Sequence, residues 1–493
     1  MKKVFFLSAI MVILLVQGKA MAQEVKQLTL DQVIKLAEEQ SPNALIAKHR
    51  FRASYWQYRT FVAQYRPSLV LTGTTPEYST AFDKVWNSQT ESYDYRATNT
   101  LSNLGSLSLS QNIGATGGTI SLNSDLTIFN DFENDTRRYI TAPLSVGLNQ
   151  PLFRYNALKW QKKTEPLKYD AARKTFLANI ESVHQQAVMN FFFLALAQIN
   201  KQISDVNYSN ADTLWRIARG RYELGTIAED ELLQMQLSWL NSETARKESV
   251  MNLRDREIRL RSFLGFNENV RIELLLPAEI PYLQVNTQEV FDLAMENNPE
   301  MLNQQLTLLT AQSNVAQAKA EKGLNANLVA SFGLRDQDPR FDLAYSEPNQ
   351  QQRVRVGFTM PILDWGLGRG RYKMAQSGLE LAKVQSEQAI VDFQQNLFLD
   401  VEQFNLQAEQ VGIAAKSDTV AQKMFEVTKQ RFLIGKISVL ELNNADNKKD
   451  QNRRAYVQSL QNYWNYFYNL RNLTLYDFII RRPLETDYDK LLD

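Results

Sequence analysis

The chain is written twice. Leu30–Ala37, leading into Ser41-Pro42, is echoed by Thr287–Ala294, leading into Asn298-Pro299. Val33, Leu36, Ala37 and Pro42 recur as Val290, Leu293, Ala294 and Pro299 at an offset of 257. Further on, Gln150-Pro151-Leu152-Phe153 is echoed by Met360-Pro361-Ile362-Leu363, and Arg221-Tyr222-Glu223-Leu224-Gly225 by Arg431-Phe432-Leu433-Ile434-Gly435, both at an offset of 210. The first copy therefore carries 47 extra residues between its opening helix and its Pro-Leu-Phe. A repeat of this length is a duplicated domain and not a short-period solenoid. Whatever one copy folds into must tolerate a second copy of itself in the same chain.

Each copy reads helix, strands, long helix, turn, helix. The opening segment, Leu30 to about Gln64, has helical period and a cap at Thr29 or Asp31. The period then changes to two. Ser106–Ser110, Thr119–Asn123 and Leu144–Leu148 alternate small or polar with apolar residues, with the turn Gly114–Gly118 between the first two. Asn327–Leu334 and Arg353–Met360 hold the equivalent place in the second copy. Alternation of this kind suits a half-exposed soluble sheet, or a barrel with one face to lipid and one to water. From about Ala157 to Arg221 the only glycine is Gly220 and the only proline is Pro166. Val188, Phe192, Ala195, Ile199 and Val206 form one three-four stripe, and Leu177, Ile180, Ala187, Phe191 and Leu194 a second. Ile390, Phe393, Leu397, Val401, Phe404, Ala408, Val411 and Ala415 repeat the pattern. Two seams on one helix require a neighbour on each side. About 65 residues at ~1.5 Å each give a helix of roughly 100 Å, longer than a globular core needs.

Lys2 and Lys3, the apolar run Val4–Val16 and the small-x-small site Ala20-Met21-Ala22 read as a secretory signal peptide over 1–22, cut before Gln23. No later stretch approaches 20 uninterrupted apolar residues; the richest, Phe191–Ala197, is flanked by Asn190 and Gln198. The exported chain is expected either to stay soluble or to cross a membrane as β-strands. The full chain's net charge of +1, which becomes −2 once Lys2, Lys3 and Lys19 leave with residues 1–22, provides no field to attract nucleic acid. The absence of cysteine removes disulfides, thiolate metal sites and thiol nucleophiles together.

Enzyme signals are weak. Gly366-Leu367-Gly368-Arg369-Gly370 superficially resembles a dinucleotide loop, but Arg371 stands at the sixth position and a continuous helix follows. Gly435-Lys436 lacks the upstream glycine of a phosphate loop. The two histidines, His49 and His184, have no acidic or histidine partner at ligand spacing and read as surface or interface residues. Glu229-Asp230-Glu231 reads as solvated charge at the positive end of a helix. No catalytic residue, cofactor site or metal site is expected.

Taken with the signal peptide, the duplicated motifs Ala37–Pro42 and Ala294–Pro299, Gln150–Phe153 and Met360–Leu363, and Arg221–Gly225 and Arg431–Gly435 resemble the TolC-like outer membrane efflux proteins over essentially the whole mature chain. The resemblance implies a mostly α fold with a membrane β-barrel: a homotrimer whose helices form a tunnel and whose strands share one outer-membrane barrel. The expected division is a first repeat over 23–265 (strands about 68–150, tip turn about 222–228), a linker over 266–286, a second repeat over 287–480 (strands about 326–362, tip turn about 432–438) and a tail over 481–493. The 47-residue excess, which takes in the Leu101–Phe129 hairpin, departs from the simplest pattern. The implied function is a passive exit duct for efflux or type I secretion. It would sit in outer-membrane lipid and be powered through a periplasmic adaptor by an inner-membrane pump. The competing reading is a periplasmic coiled-coil structural or adaptor protein.

The resemblance also implies roles at the tips. Glycines at Leu224-Gly225-Thr226 and Ile434-Gly435-Lys436 allow the left-handed backbone of a helix reversal. With Arg221 and Arg431 these turns are where the adaptor would dock. Glu231 and Glu441 each lie six residues beyond their glycine, so a trimer places six carboxylates near one level. Facing inward they would form a cation-selective ring at the periplasmic entrance. A second ring three residues on would meet Asn444, and Phe432 and Ile437 offer no polar group to hold an entrance shut.

Overall fold

The computed structural model describes residues 25–87, 90–266, 271–277, 280–434, 436–437 and 439–492. The signal peptide expected over 1–22 lies outside the described residues, as does Gly435. The chain forms two compact units. A helical unit holds the described residues up to Arg52, Ala172–Met301 and the chain from Val391 onward; a sheet unit holds Ala53–Ala171 and Leu302–Ile390.

The helical unit begins with β1 (Val25–Thr29), which pairs in parallel with β6 (Arg271–Leu275), so the 266–286 stretch carries a strand. The opening helix differs from the single segment expected. It is α1 (Leu30–Gln40), a break at Ser41, then α2 (Pro42–Ala63). The cause is local: a residue before proline is pushed out of the helical region, and Ser41 sits at φ −66°, ψ 145°. Ser41 N–H still donates to the Ala37 carbonyl at 3.1 Å, and its Oγ accepts from Ala44 N at 3.2 Å. The second copy repeats the device between α5 (Thr287–Asn297) and α6 (Pro299–Glu321). There Asn298 N–H donates to the Ala294 carbonyl at 2.9 Å and Asn298 Oδ1 accepts from Glu300 N at 2.9 Å. The Leu-Ala…Ser/Asn-Pro motif is thus a stop and a new cap in one residue, with proline at the first helical position where it needs no donor. Thr29, not Asp31, caps α1, through a reciprocal pair with Gln32.

Two long hairpins follow. Helix α3 (Ala157–Glu223) turns into α4 (Glu229–Leu264), and α7 (Leu367–Leu433) into α8 (Val439–Thr474); α3 and α7 each run 67 residues. Their expected stripes are buried: Val188, Phe191, Phe192, Leu194, Val401 and Phe404 have no exposure, and they join Leu260, Tyr463 and Phe467 in one core. Val206, placed on the first stripe, is 47% exposed, because the core has ended before it. Beyond α8 a two-strand hairpin, β9 (Tyr476–Asp477) and β10 (Arg482–Pro483), starts the tail.

The sheet unit is one antiparallel sheet. Its strands are β2 (Ser68–Asn87), β3 (Ser92–Ile113), β4 (Gly118–Asp131), β5 (Thr136–Leu152), β7 (Asn325–Asp338) and β8 (Asn349–Thr359), in spatial order β2-β3-β4-β5-β7-β8. The first copy supplies two hairpins and the second one. The three strands expected in the first copy are present; β2 is a fourth.

Candidate functional site: a two-faced sheet and two helical tips

Cross-strand register sorts the sheet's side chains. Leu69 faces Leu109, which faces Leu122, then Val146, then Phe332. One residue along, Ser68 faces Ser110, then Ser121, Gly147, Ser331 and Arg353. A one-residue step moves every side chain to the other face, so one row is apolar across five strands, from β2 to β7, and ends on Gln352 of β8, while its neighbour is small, polar or charged across all six. The apolar row is exposed: Leu69 65%, Leu109 39%, Leu122 39%, Val146 40% and Phe332 50%. The polar face knits itself together, with Ser68 Oγ 2.9 Å from Ser110 Oγ, Ser108 Oγ donating to Asn123 Oδ1 at 2.6 Å, and Ser106 donating to Asp125. A contiguous exposed apolar band of this extent is unusual for a surface that meets water. Lipid on one face and water on the other is the environment that matches both rows. No helix among the described residues is long and apolar enough to cross a membrane.

The junctions that deliver the sheet into the long helices are capped. Asn156 Oδ1 accepts from Lys159 N at 3.0 Å at the start of α3. At the start of α7, Asp364 accepts from Gly366 N at 2.9 Å and Gly368 N at 2.8 Å. Gly366 has φ 86°, a backbone only glycine takes without cost. The glycine-rich Gly366–Gly370 is therefore a strand-to-helix corner whose donors face the chain's own aspartate. No group of acids or histidines among the described residues is arranged to hold a metal.

At the first tip, the end of α3 is closed by Thr226 N–H donating to the Arg221 carbonyl at 2.9 Å and Gly225 N–H to Tyr222 at 2.8 Å, with Gly225 at φ 68°. Thr226 Oγ1 adds a second bond to Arg221 O at 2.8 Å. This is the paired closure of a left-handed helix cap. The second tip repeats it: Lys436 N–H donates to the Arg431 carbonyl at 3.0 Å. Arg221 and Arg431 therefore contribute their carbonyls to the turn, while the guanidinium of each belongs to an exposed residue. Leu224 (80%) and Ile434 (65%) stand at the crest, with Lys436 exposed beside them. Glu231 and Glu441 are each the third residue of their helix, α4 and α8, and both are exposed. Ala228, at the N-terminus of α4, makes no side-chain cap; Glu229, Asp230 and Glu231 supply negative charge there instead.

One assembly was not foreseen. His184, read from sequence as a surface or interface residue, is 6% exposed and lies between two carboxylates. Its Nε2 is 3.2 Å from Glu38 Oε2, and its Nδ1 is 3.3 Å from Glu181 Oε1, close enough for charge attraction without hydrogen-bond alignment. Arg471 grips Glu181 with two 2.9 Å bonds and reaches Asp477 at 2.6 Å. Burial works against the charged imidazolium, but the two carboxylates outweigh it and raise the His184 pKa to about 9. Hydrogen bonding to His184 holds the Glu38 carboxyl below its ordinary value. The cluster joins α1, α3, α8 and β9. Glu181 and His184, three apart on one helix, were its one readable sign.

A family model described as outer membrane efflux protein matches residues 33–266 and 290–474. The chain belongs to the outer membrane efflux protein family. Among solved structures it is similar to the CmeC outer membrane channel of Campylobacter jejuni (TM-score 0.65, 14% identity, 94% of this chain and 88% of that one). It is also similar to a membrane protein from Pseudomonas aeruginosa (0.64, 12%, 90% and 90%) and to the outer membrane protein VceC of Vibrio cholerae (0.61, 14%, 91% and 96%). No curated protein sequence matches the chain. The fold is thus that of the TolC-like channels, mostly helical with a membrane sheet and a duplicated unit.

Proposed function

We propose that three copies of this chain assemble into the exit duct of a tripartite efflux or type I secretion system. The observation that carries this reading is the pair of adjacent rows, one apolar and exposed, one polar, in a chain whose helical hairpins end in two equivalent turns. The sheet would close as a barrel in the outer membrane, with its polar face lining the lumen. The exposed crests Leu224 and Ile434, with Thr226 and Lys436 beside them, would receive a periplasmic adaptor, and an inner-membrane pump would supply the energy. Cargo moves passively and no covalent step occurs in the duct. Fractionation of expressing cells tests the reading: detergent-extracted, trimeric, heat-modifiable outer-membrane material is expected. Release in the soluble periplasmic fraction would instead favour the coiled-coil rod, which has no use for an apolar sheet face.

A further inference from the structure

The two outer strands of the sheet are its least finished part. Among the described residues β2 and β8 each have a strand neighbour on one side only. β8 is exposed along its full length, and so is β2 from Ser68 to Thr80. Soluble sheets blunt such edges, and within lipid every backbone donor and acceptor must find a partner inside the protein. The chain does not satisfy these edges by closing on itself: among the described residues β2 and β8 are not paired with each other, and membrane barrels are built of about eight strands or more, whereas this sheet has six.

Strand parity says what fits. Five antiparallel steps separate β2 from β8, so the two edges run in opposite directions. A copy rotated about a common axis presents its β2 antiparallel to the first copy's β8. The ladder therefore continues unbroken around a ring, and the apolar and polar faces stay on their own sides. The strand that makes this join comes from the excess in the first copy. The second copy holds one hairpin, β7–β8, against β5, whereas the first holds β4–β5 and, outside it, β2–β3, whose span Ser68–Gly117 approximates the 47-residue difference between the copies.

We infer that the added hairpin supplies the seam: β2 of one copy pairs with β8 of the next, and a trimer closes a barrel of eighteen strands. This rests on the trimeric outer-membrane reading above and adds the strand count, the joining strands and their partner, a second copy of this chain. Native absence of cysteine makes the test direct. Val70→Cys or Thr72→Cys on β2 is combined in one chain with Arg353→Cys, Arg355→Cys or Gly357→Cys on β8, all on the polar face. Asn149→Cys with Val329→Cys, directly opposed on β5 and β7, is the intrachain control. After oxidation in outer membranes, at least one β2–β8 pair is expected to give a ladder up to covalent trimer on a denaturing gel, absent from either single variant. A β2–β8 disulfide within one chain, or no β2–β8 disulfide while the control forms, overturns the seam. Imaging the unmodified trimer in cross-section is the independent measurement. Eighteen strands are expected; twelve would mean that β2–β3 stays out of the ring. A trimeric outer-membrane channel that fails these tests sinks the seam alone. A chain that fractionates as a soluble monomer sinks the exit-duct reading first.

Discussion

The two units of this protein use the same residue types in opposite ways. In the helical unit Phe191, Phe192, Leu194 and Phe404 are fully buried and pack against one another. In the sheet unit Leu69, Leu109, Leu122 and Val146 lie at the surface in a continuous row. Charge is inverted in the same sense. The helical unit buries His184 and Glu181 and half-buries Arg471, whereas the sheet leaves Arg353 and Arg355 exposed on β8. The difference shows that the units fold for different solvents. The helices solve the ordinary problem of hiding apolar surface from water, and the sheet presents apolar surface to something that is not water.

The helical unit gives the largest expected effect. Arg471→Met leaves Asp477 buried without its cation and Glu181 with His184 alone, and removing one partner of a buried pair costs about 3–5 kcal/mol. Thermal melting of the purified trimer should fall accordingly; a change within error would show that water already solvates these acids. The same cluster sets a pH dependence. The folded protein holds the His184 proton more tightly than the unfolded chain, whose histidines titrate near 6.5. Its stabilisation is therefore complete below pH 6.5 and is lost as pH rises through about 9. His184→Gln should destabilise the protein at pH 6 and make little difference at pH 9.5.

In the sheet, the sharper contrast lies between adjacent residues. Leu122→Arg places a charge on the apolar face and should cost ~2–4 kcal/mol if that face meets the bilayer midplane. Ser121→Arg, one residue away on the polar face, should assemble like the parent. Equal recovery of both variants from outer membranes would remove the lipid-facing assignment.

Legibility in the sequence divides along the same line. Local chemistry was readable: the long helices and the tip turns rest on residues within five positions of one another, where caps and period act, although the proline-marked breaks at Ser41 and Asn298 were read only as a repeated motif. β2 falls at the start of the strand span expected from about 68 but was not picked out as a separate strand, because Ser68-Leu69-Val70-Leu71 is nearly continuous in apolar character and Pro76 interrupts it, so no clean alternation shows. Only pairing with β3 turns Leu69 and Leu71 to one face. The His184 cluster was missed for a related reason: Glu181 and Arg471 are 290 residues apart, and only the packed helices bring them together. For the tips, the sequence revealed the turn but not that the Arg221 carbonyl closes the cap, a backbone role that its residue type does not signal.

The tip turns separate fold from function more finely. A Cβ added at Gly225 would meet no atom within 4 Å, so Gly225→Val is penalised by its φ of 68° alone, about 1–2 kcal/mol. That is small beside the core effects, and trimers should still form. If the crest receives the adaptor, export of a pump substrate from whole cells should nonetheless fall to the level of a strain lacking the channel. Normal export by this variant would confine the glycine to turn formation.

The smallest expected change in stability belongs to Glu231 and Glu441, and whether they line an entrance must be measured as selectivity. Glu231 and Glu441 are exposed at the N-terminal turns of α4 and α8, where a negative charge gains ~0.3–1 kcal/mol from the helix dipole. Glu231→Gln with Glu441→Gln keeps side-chain shape and gives up that small term, so the double variant should fold and assemble. A ring of six carboxylates at a constriction concentrates cations and repels anions, whereas the same acids pointing outward would leave the pore field unchanged. In planar bilayers the parent trimer should prefer cations and be blocked by multivalent cations added from the periplasmic side. The double variant should lose both properties. Selectivity and block that survive the substitution would place these carboxylates on the outside of the tips, where they act on the helix and not on the passing ion.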